Sequence, residues 1–233
     1  MPDSPADDLD GLIRRVDPDR WLTSRFIADR QARADVVALY AFDYELWRAR
    51  RMATSPLMAE IRLAWWREAL DEIFAGAPVR AHPTAMALAA AVGRRRLARA
   101  PFDSMVDGAV EALELAELDE AASERWASAV EGALASTAAQ MLDPTSPAGA
   151  AAPSGRAWGL ALLWRAGLAR PATLVTPLQR AIDEARVRAR SLSPVALPAA
   201  LPARLARYDL ARRSPGPLVK RLTLFAAVAS GRI

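Results

Sequence analysis

Apolar residues along this chain recur with helical spacing, and nowhere do they alternate for long enough to build a strand. Between Arg20 and Met52, the residues Trp21, Ile27, Val36, Leu39, Tyr40, Leu46 and Trp47 fall mostly three, four or seven apart. Ser55-Pro56 reads as a helix start, with serine as N-cap and proline at the first helical position. The helix it opens sets Met58, Ile61, Trp65, Ala69 and Ile73 on one stripe and ends near Gly76. Further helices are predicted over 84–99, 102–118, 121–142, 156–168, 177–191, a proline-punctuated 194–213, and from 217 onward. Only 143–155, rich in Pro, Gly, Ser and Ala, reads as a long loop. It is taken as a connection, because neither half alone has enough helices to enclose a core. The expected fold is all-α, a single antiparallel helical bundle of about seven to nine helices over 17–233. An acidic, disordered N-terminal segment over 1–16 is expected to precede it.

Composition narrows the chemistry. With 233 residues, 52% apolar and 25% charged, the chain can bury one large core. It has no cysteine, which excludes disulfides, thiolate zinc sites, iron–sulfur clusters and cysteine nucleophiles. His82 is the only histidine, so a two-histidine metal site is excluded too; its proline-flanked setting predicts an exposed loop residue. The net charge of +4 is carried almost wholly by arginine, Lys220 being the only lysine. From Arg180 to Ile233, eleven basic residues stand against Asp183, Glu184 and Asp209. Such an excess fits solvated helix faces, or a patch for an anionic surface or phosphate. The acidic start lacks the apolar run of a signal peptide. Stretches such as 222–231 and 157–164 fall short of the roughly 20 apolar residues a membrane span requires. The expectation is a soluble, cytoplasmic protein whose membrane contact, if any, is peripheral, at the inner membrane. No nucleic-acid recognition module is visible, and no nucleic-acid partner is expected.

Candidate chemistry falls to carboxylates. Asp103, Asp107, Glu111 and Glu114 share one helix face, which suits a divalent ion or, more simply, solvent. Glu68, Asp71 and Glu72 lie beside Arg67 and read as surface charge. Asp43 and Glu45 run into Trp47-Arg48-Ala49-Arg50-Arg51, where cations outnumber acids and favour a negative partner over magnesium. The seven tryptophans are spread among helices and read as core or bundle lining. There is no Gly-rich phosphate loop and no G-x-S-x-G.

From Leu39-Tyr40-Ala41-Phe42 onward, the chain resembles the squalene/phytoene synthase family. Ile61-Arg62-Leu63-Ala64-Trp65-Trp66-Arg67-Glu68-Ala69-Leu70, followed by Ile73-Phe74-Ala75-Gly76, is similar to its L-x-x-W-R-x-x-L-x-x-x-Y-x-G helix. His82-Pro83 fits its next proline stretch, and Phe102 to Gly108 resembles F-x-x-L-I-x-G. Trp126, Val130 and Gly132 stand where the family has Y-C-x-x-V-A-G, and Gly155, Ala157 and Trp158 near the start of its late helix. Leu197-Pro198-Ala199-Ala200-Leu201-Pro202 resembles its closing region. The resemblance implies the isoprenoid synthase fold and head-to-head condensation of prenyl diphosphates, with magnesium held by two aspartate-rich motifs.

Those motifs are where the sequence departs. The three acidic positions of C-R-x-x-D-D-x-x-D fall on Trp47, Arg48 and Arg51. The family's aspartate in the Phe102 helix falls on Ala112, and along Gly159 to Ala166 only a leucine and Arg165 survive, Ala166 replacing the second aspartate. Ala41-Phe42-Asp43-Tyr44-Glu45-Leu46 is similar instead to A-F-x-x-E-x of the branch containing the mitochondrial complex I assembly factor. That likeness implies a non-catalytic accessory role with no cofactor, and a protein partner of respiratory complex assembly or a prenyl or anionic ligand. The alternative is an active prenyl transferase of the phytoene or squalene class, which would require magnesium. Trp47, Arg48, Arg51 and Arg165 are the expected anion or ligand cavity, closed if needed by Asp43, Glu45 or Glu111. Tyr40, Trp65, Trp66, Trp126 and Trp158 are the expected cavity or core aromatics.

Overall fold

A computed structural model describes residues 5–52, 55–113 and 117–233. It contains twelve α-helices and no strand among the described residues. They are α1 (Pro5–Val16), α2 (Pro18–Ser24), α3 (Arg30–Met52), α4 (Pro56–Ala75), α5 (Pro83–Arg95) and α6 (Ala100–Leu113). After them come α7 (Glu120–Trp126), a π-helical turn (Ala127–Gly132), α8 (Ala133–Leu142), α9 (Ala152–Ala166), α10 (Pro171–Arg188), α11 (Pro202–Leu210) and α12 (Pro217–Ser230). One hydrophobic core runs from Leu9 to Ile233. α3 is packed by α1, α4, α5, α6 and α8, and α9 by α7, the π turn, α8, α10 and α11. These two helices form the opposing walls of the molecule's centre. The all-α bundle expected from the spacing is the architecture observed, with twelve helices among the described residues in place of about seven to nine.

Local signals set many boundaries. The Ser55 hydroxyl accepts from the Met58 amide at 3.4 Å, and Pro56 occupies the first turn. Gly76 ends α4 at φ +66°, a left-handed conformation that costs glycine little. Asp17 caps α2 through the Arg20 amide at 2.9 Å, and Asp29 accepts from the Ala32 amide at the start of α3 at 2.6 Å. The helix expected from Arg20 to Met52 is thus split after Ser24, and Asp29 starts its second part.

Four other expectations are corrected. The segment over 1–16 is not disordered across its length: 5–16 is helical, because Leu9 and Ile13, one turn apart, are buried against the core. The helix over 121–142 is interrupted by the π turn. α9 begins at Ala152, inside the expected loop. α10 begins at Pro171 and runs through Pro177. Burial of Leu174, Pro177, Leu178, Ala181 and Ile182 on its inner face outweighs the helix-interior cost of a proline. No helix among the described residues is long and apolar enough to cross a membrane.

α9 admits the π turn through missing side chains. A Cβ on Gly155 would stand 1.9 Å from the Glu131 carbonyl oxygen, and one on Gly159 would stand 2.8 Å from the Glu131 Cγ. Gly155→Ala should therefore lower stability by about 3 kcal/mol, read as a fall in the urea midpoint. Gly93→Ala on α5, where an added Cβ meets nothing within 4 Å, should instead stabilise by about 0.5–1 kcal/mol. Equal midpoints for Gly155→Ala and wild type would contradict the close approach.

Candidate functional site

A cavity of about 320 Å³ lies between the two central helices. Tyr40, Asp43, Tyr44, Trp47 and Arg51 line one wall, because their spacing returns each to the same face of α3. Leu162, Arg165 and Ala166 of α9 face them, and Val16 to Arg20 with Glu131 complete the lining. A larger cavity of about 720 Å³ lies between the π turn and α10. Its charges are already matched in exposed pairs, Arg125 with Glu111, Arg180 with Glu124 and Arg156 with Glu184.

At the inner end of the central cavity, Arg20 is only 3% exposed. Its guanidinium donates to Asp43 at 2.6 Å and to Glu131, and lies 5.3 Å from the centre of the Tyr40 ring. Burial strips solvation from Glu131 and pushes its carboxyl up to about 8, and nearby Asp43 and Asp17 add to the rise against the pull of Arg20. Burial likewise raises Asp17. Burial opposes the charge on Arg20, yet Glu131 and Asp43 overcome it and hold the guanidinium ionised. Burial pushes the Tyr40 hydroxyl up to about 12. Three carboxyls around one guanidinium leave surplus negative charge, and a proton held on Glu131 relieves it.

Toward the rim, Arg165 grips Asp209 with two bonds of 2.7 and 2.6 Å and comes within 3.5 Å of Asp19. Its guanidinium covers the buried Trp158 ring at 4.5 Å. Lys220 donates to Asp19 at 2.6 Å. Arg51 lines the same cavity and has no acidic partner among the described residues.

Of the residues singled out in the sequence, Trp47, Arg51, Arg165 and Tyr40 line this one cavity. Trp126 backs Trp47, with ring centres 5.4 Å apart. Arg48 is a correction. One residue along from Trp47 it is rotated about 100° and leaves the cavity. It pairs with Glu45 at 3.2 Å in a separate groove of about 300 Å³, shared with Ile61, Trp65, Trp66 and His82. His82 is a second correction: it is half-buried, edge-on to Trp65 and Trp66 with ring centres 5.3 and 5.4 Å away. Of the acids expected to close the arginines, Asp43 binds Arg20, Glu45 binds Arg48 and Glu111 binds Arg125. In the Asp103–Asp107–Glu111 stripe Asp103 is half-buried and the other two are exposed, and all are paired, with Arg99, Arg67 and Arg125; Glu114 lies outside the described residues. Glu68 and Glu72 pair with Arg80, and Asp71 with Arg99. Sequence reasoning missed Arg20 and Glu131; glycines one turn apart on α9 were the available sign of a close approach.

The donor set does not fit the magnesium that the family resemblance implies. The positions that should carry its carboxylates are Trp47, Arg48, Arg51 and Ala166, and the cavity's own acids are engaged by Arg20, Arg165 and Lys220. Among the described residues, no three histidine or acidic side chains group as metal ligands.

Glu131 gives this cluster a pH signature. Unfolded, its carboxyl loses its proton near 4.5; folded, it keeps the proton up to about 8. Between those values the folded state binds the extra proton, so stability falls as pH rises through the window. Urea midpoints measured from about pH 5 to pH 8 should fall for wild type, and Glu131→Gln should flatten the fall. An identical pH dependence in both proteins would contradict a raised Glu131.

The bundle superposes on a crystal structure of a dehydrosqualene synthase in complex with ligand with a TM-score of 0.78, covering 97% of this chain and 95% of that one at 15% identity. Squalene synthase HpnC from Alicyclobacillus acidocaldarius gives 0.69 over 97% and 94% of the chains, at 16% identity. These likenesses establish the all-α isoprenoid synthase fold. No curated protein sequence gives a significant match. The squalene/phytoene synthase family matches residues 13–167, well over half of the sequence. The chain belongs to the squalene/phytoene synthase family.

Proposed function

We propose that this protein is a non-catalytic family member that works by binding, an accessory factor of the respiratory complex I assembly type. Its cavity takes an anionic ligand with an apolar part and neutralises the charge with guanidinium groups. The observation that carries this reading is the engagement of the cavity's carboxylates. Asp43 and Glu131 are spent on Arg20, and Asp19 on Lys220 and Arg165. A magnesium ion bridging to a diphosphate needs free, hard oxygen donors, and none of these is free. Among the described residues Arg51 remains without an acidic partner on the wall, facing Arg165 and Ala166 across the opening. Arginine binds phosphate oxygens through paired N–H donors and needs no metal to do so. The assembly role rests on the A-F-x-x-E-x likeness of Ala41 to Leu46.

The alternative, an active head-to-head prenyl transferase, is favoured by full-length similarity to a dehydrosqualene synthase. Purified protein incubated with farnesyl or geranylgeranyl diphosphate and magnesium separates the two readings. The expected outcome is no condensed C30 or C40 product above a no-enzyme control. Sustained turnover would overturn the non-catalytic reading.

A further inference from the structure

The C-terminal helix presents its apolar side outward. On α12, Leu218, Leu222 and Phe225 fall on one face at helical spacing and are 71%, 69% and 65% exposed. The opposite face holds Leu224 and Ala227, which are buried. A helix turned apolar side out has a reason to be so only if something apolar meets it.

Cations flank this ridge. On one side, α11, the following turn and α12 enclose a hollow of about 260 Å³ lined by Arg204, Arg207, Arg213, Tyr208 and Thr223. The Tyr208 and Thr223 hydroxyls bond each other at 2.7 Å across it. None of its three arginines has an acidic partner among the described residues. Burial, then the charges of Arg186 and Arg204, lower the affinity of Arg207 for its proton, so the hollow gains from an anion. On the ridge's other side stands Arg221, also exposed and unpaired among the described residues. Four of the eleven basic residues from Arg180 onward, Arg204, Arg207, Arg213 and Arg221, stand here.

We infer that α12 and the Arg204–Arg207–Arg213 hollow form a docking surface for an anionic phospholipid bilayer. The ridge inserts among acyl chains while the hollow takes a lipid phosphate. A bilayer matches both halves of the surface at once, whereas nucleic acid would match the arginines and leave the ridge in water. At 14 residues α12 is too short to span, and it lies in the interface plane. Its inner face carries Lys220, bonded to Asp19 at the cavity rim. Docking therefore leaves α12 standing between the bilayer and the rim of the central cavity. The inference is independent of whether the cavity turns over a substrate.

Co-sedimentation of the full chain with phosphatidylcholine vesicles, and with mixed phosphatidylcholine–phosphatidylglycerol vesicles, tests this. Wild type should pellet with the mixed vesicles, weaken as salt rises, and stay in solution with the neutral ones. Arg204→Gln/Arg207→Gln/Arg213→Gln should bind the mixed vesicles on the order of a hundredfold more weakly, at about fivefold per cation. Leu222→Ser/Phe225→Ser should lose at least about tenfold. Leu57→Ser/Ile61→Ser, which removes exposed apolar residues on α4, should bind as wild type does. All these positions lie at or near the surface, and circular dichroism should show each variant folded. The proposal is overturned by no binding of wild type, by equal binding to both vesicles, or by full binding of either α12-side variant. It is also overturned if inorganic phosphate alone fills the site and vesicles add nothing. Concentration-dependent dimerisation abolished by Leu222→Ser/Phe225→Ser would assign the ridge to a second copy of this chain instead.

Discussion

Arg20 is the point on which the centre of this molecule depends. Its buried guanidinium ties three separate parts of the sequence together: its own helix α2, Asp43 on α3 and Glu131 on the π turn. Charges so buried lose much solvation, and mutual attraction returns it only where geometry and hydrogen bonds are complete. Removing one partner would leave an unmatched buried charge, at about 3–5 kcal/mol. The approach that completes the cluster is granted by Gly155 and Gly159, which let α9 lie directly against the backbone carrying Glu131. Helix packing and site electrostatics are therefore one problem here. A side chain added on α9 would push away the Glu131 carboxyl group that accepts from Arg20.

The same cluster sets what the cavity can hold. Carboxylates committed to guanidinium groups are poor ligands for a hard cation, while guanidinium groups at the rim attract phosphate or carboxylate. On the proposed reading, a family fold built around magnesium and diphosphate keeps its walls here and neutralises charge with arginine instead of metal. Trp47 and Arg51 stand on one wall and Ala166 on the other, at the positions where the family's motifs carry aspartate. The helix that carries the exposed ridge, α12, also reaches this cavity, through the ion pair of Lys220 with Asp19.

Much of this was legible in the sequence, and the rest was hidden for physical reasons. Helical spacing, the Ser55 cap and Gly76 predicted α4 nearly to the residue, because local propensity and capping decide such boundaries. Motif positions pointed to Trp47, Arg51 and Arg165, and those positions line one cavity in the fold. Arg48 was misplaced because a motif shows which positions matter and not which way each side chain turns; neighbours on a helix diverge by about 100°. Glu131 was invisible for a related reason. A regular helix over 121–142 would place it with Glu124 and Ser128 on an outward face, and only the extra residue of the π turn rotates it onto Arg20. α1 was lost behind its acidic composition, since the pair Leu9 and Ile13 that holds it down is short and surrounded by charge.

Calorimetric titration of pyrophosphate in EDTA addresses most directly the claim that arginine has taken over from metal. Wild type should bind without any divalent ion, and Arg51→Ala, on the cavity wall, should weaken binding by about 1.5–3 kcal/mol, the worth of a hydrogen bond to a charged group. Arg48→Ala, outside the cavity, should leave the affinity unchanged. Binding that appears only when magnesium is restored, or that is lost equally in both variants, would contradict the account.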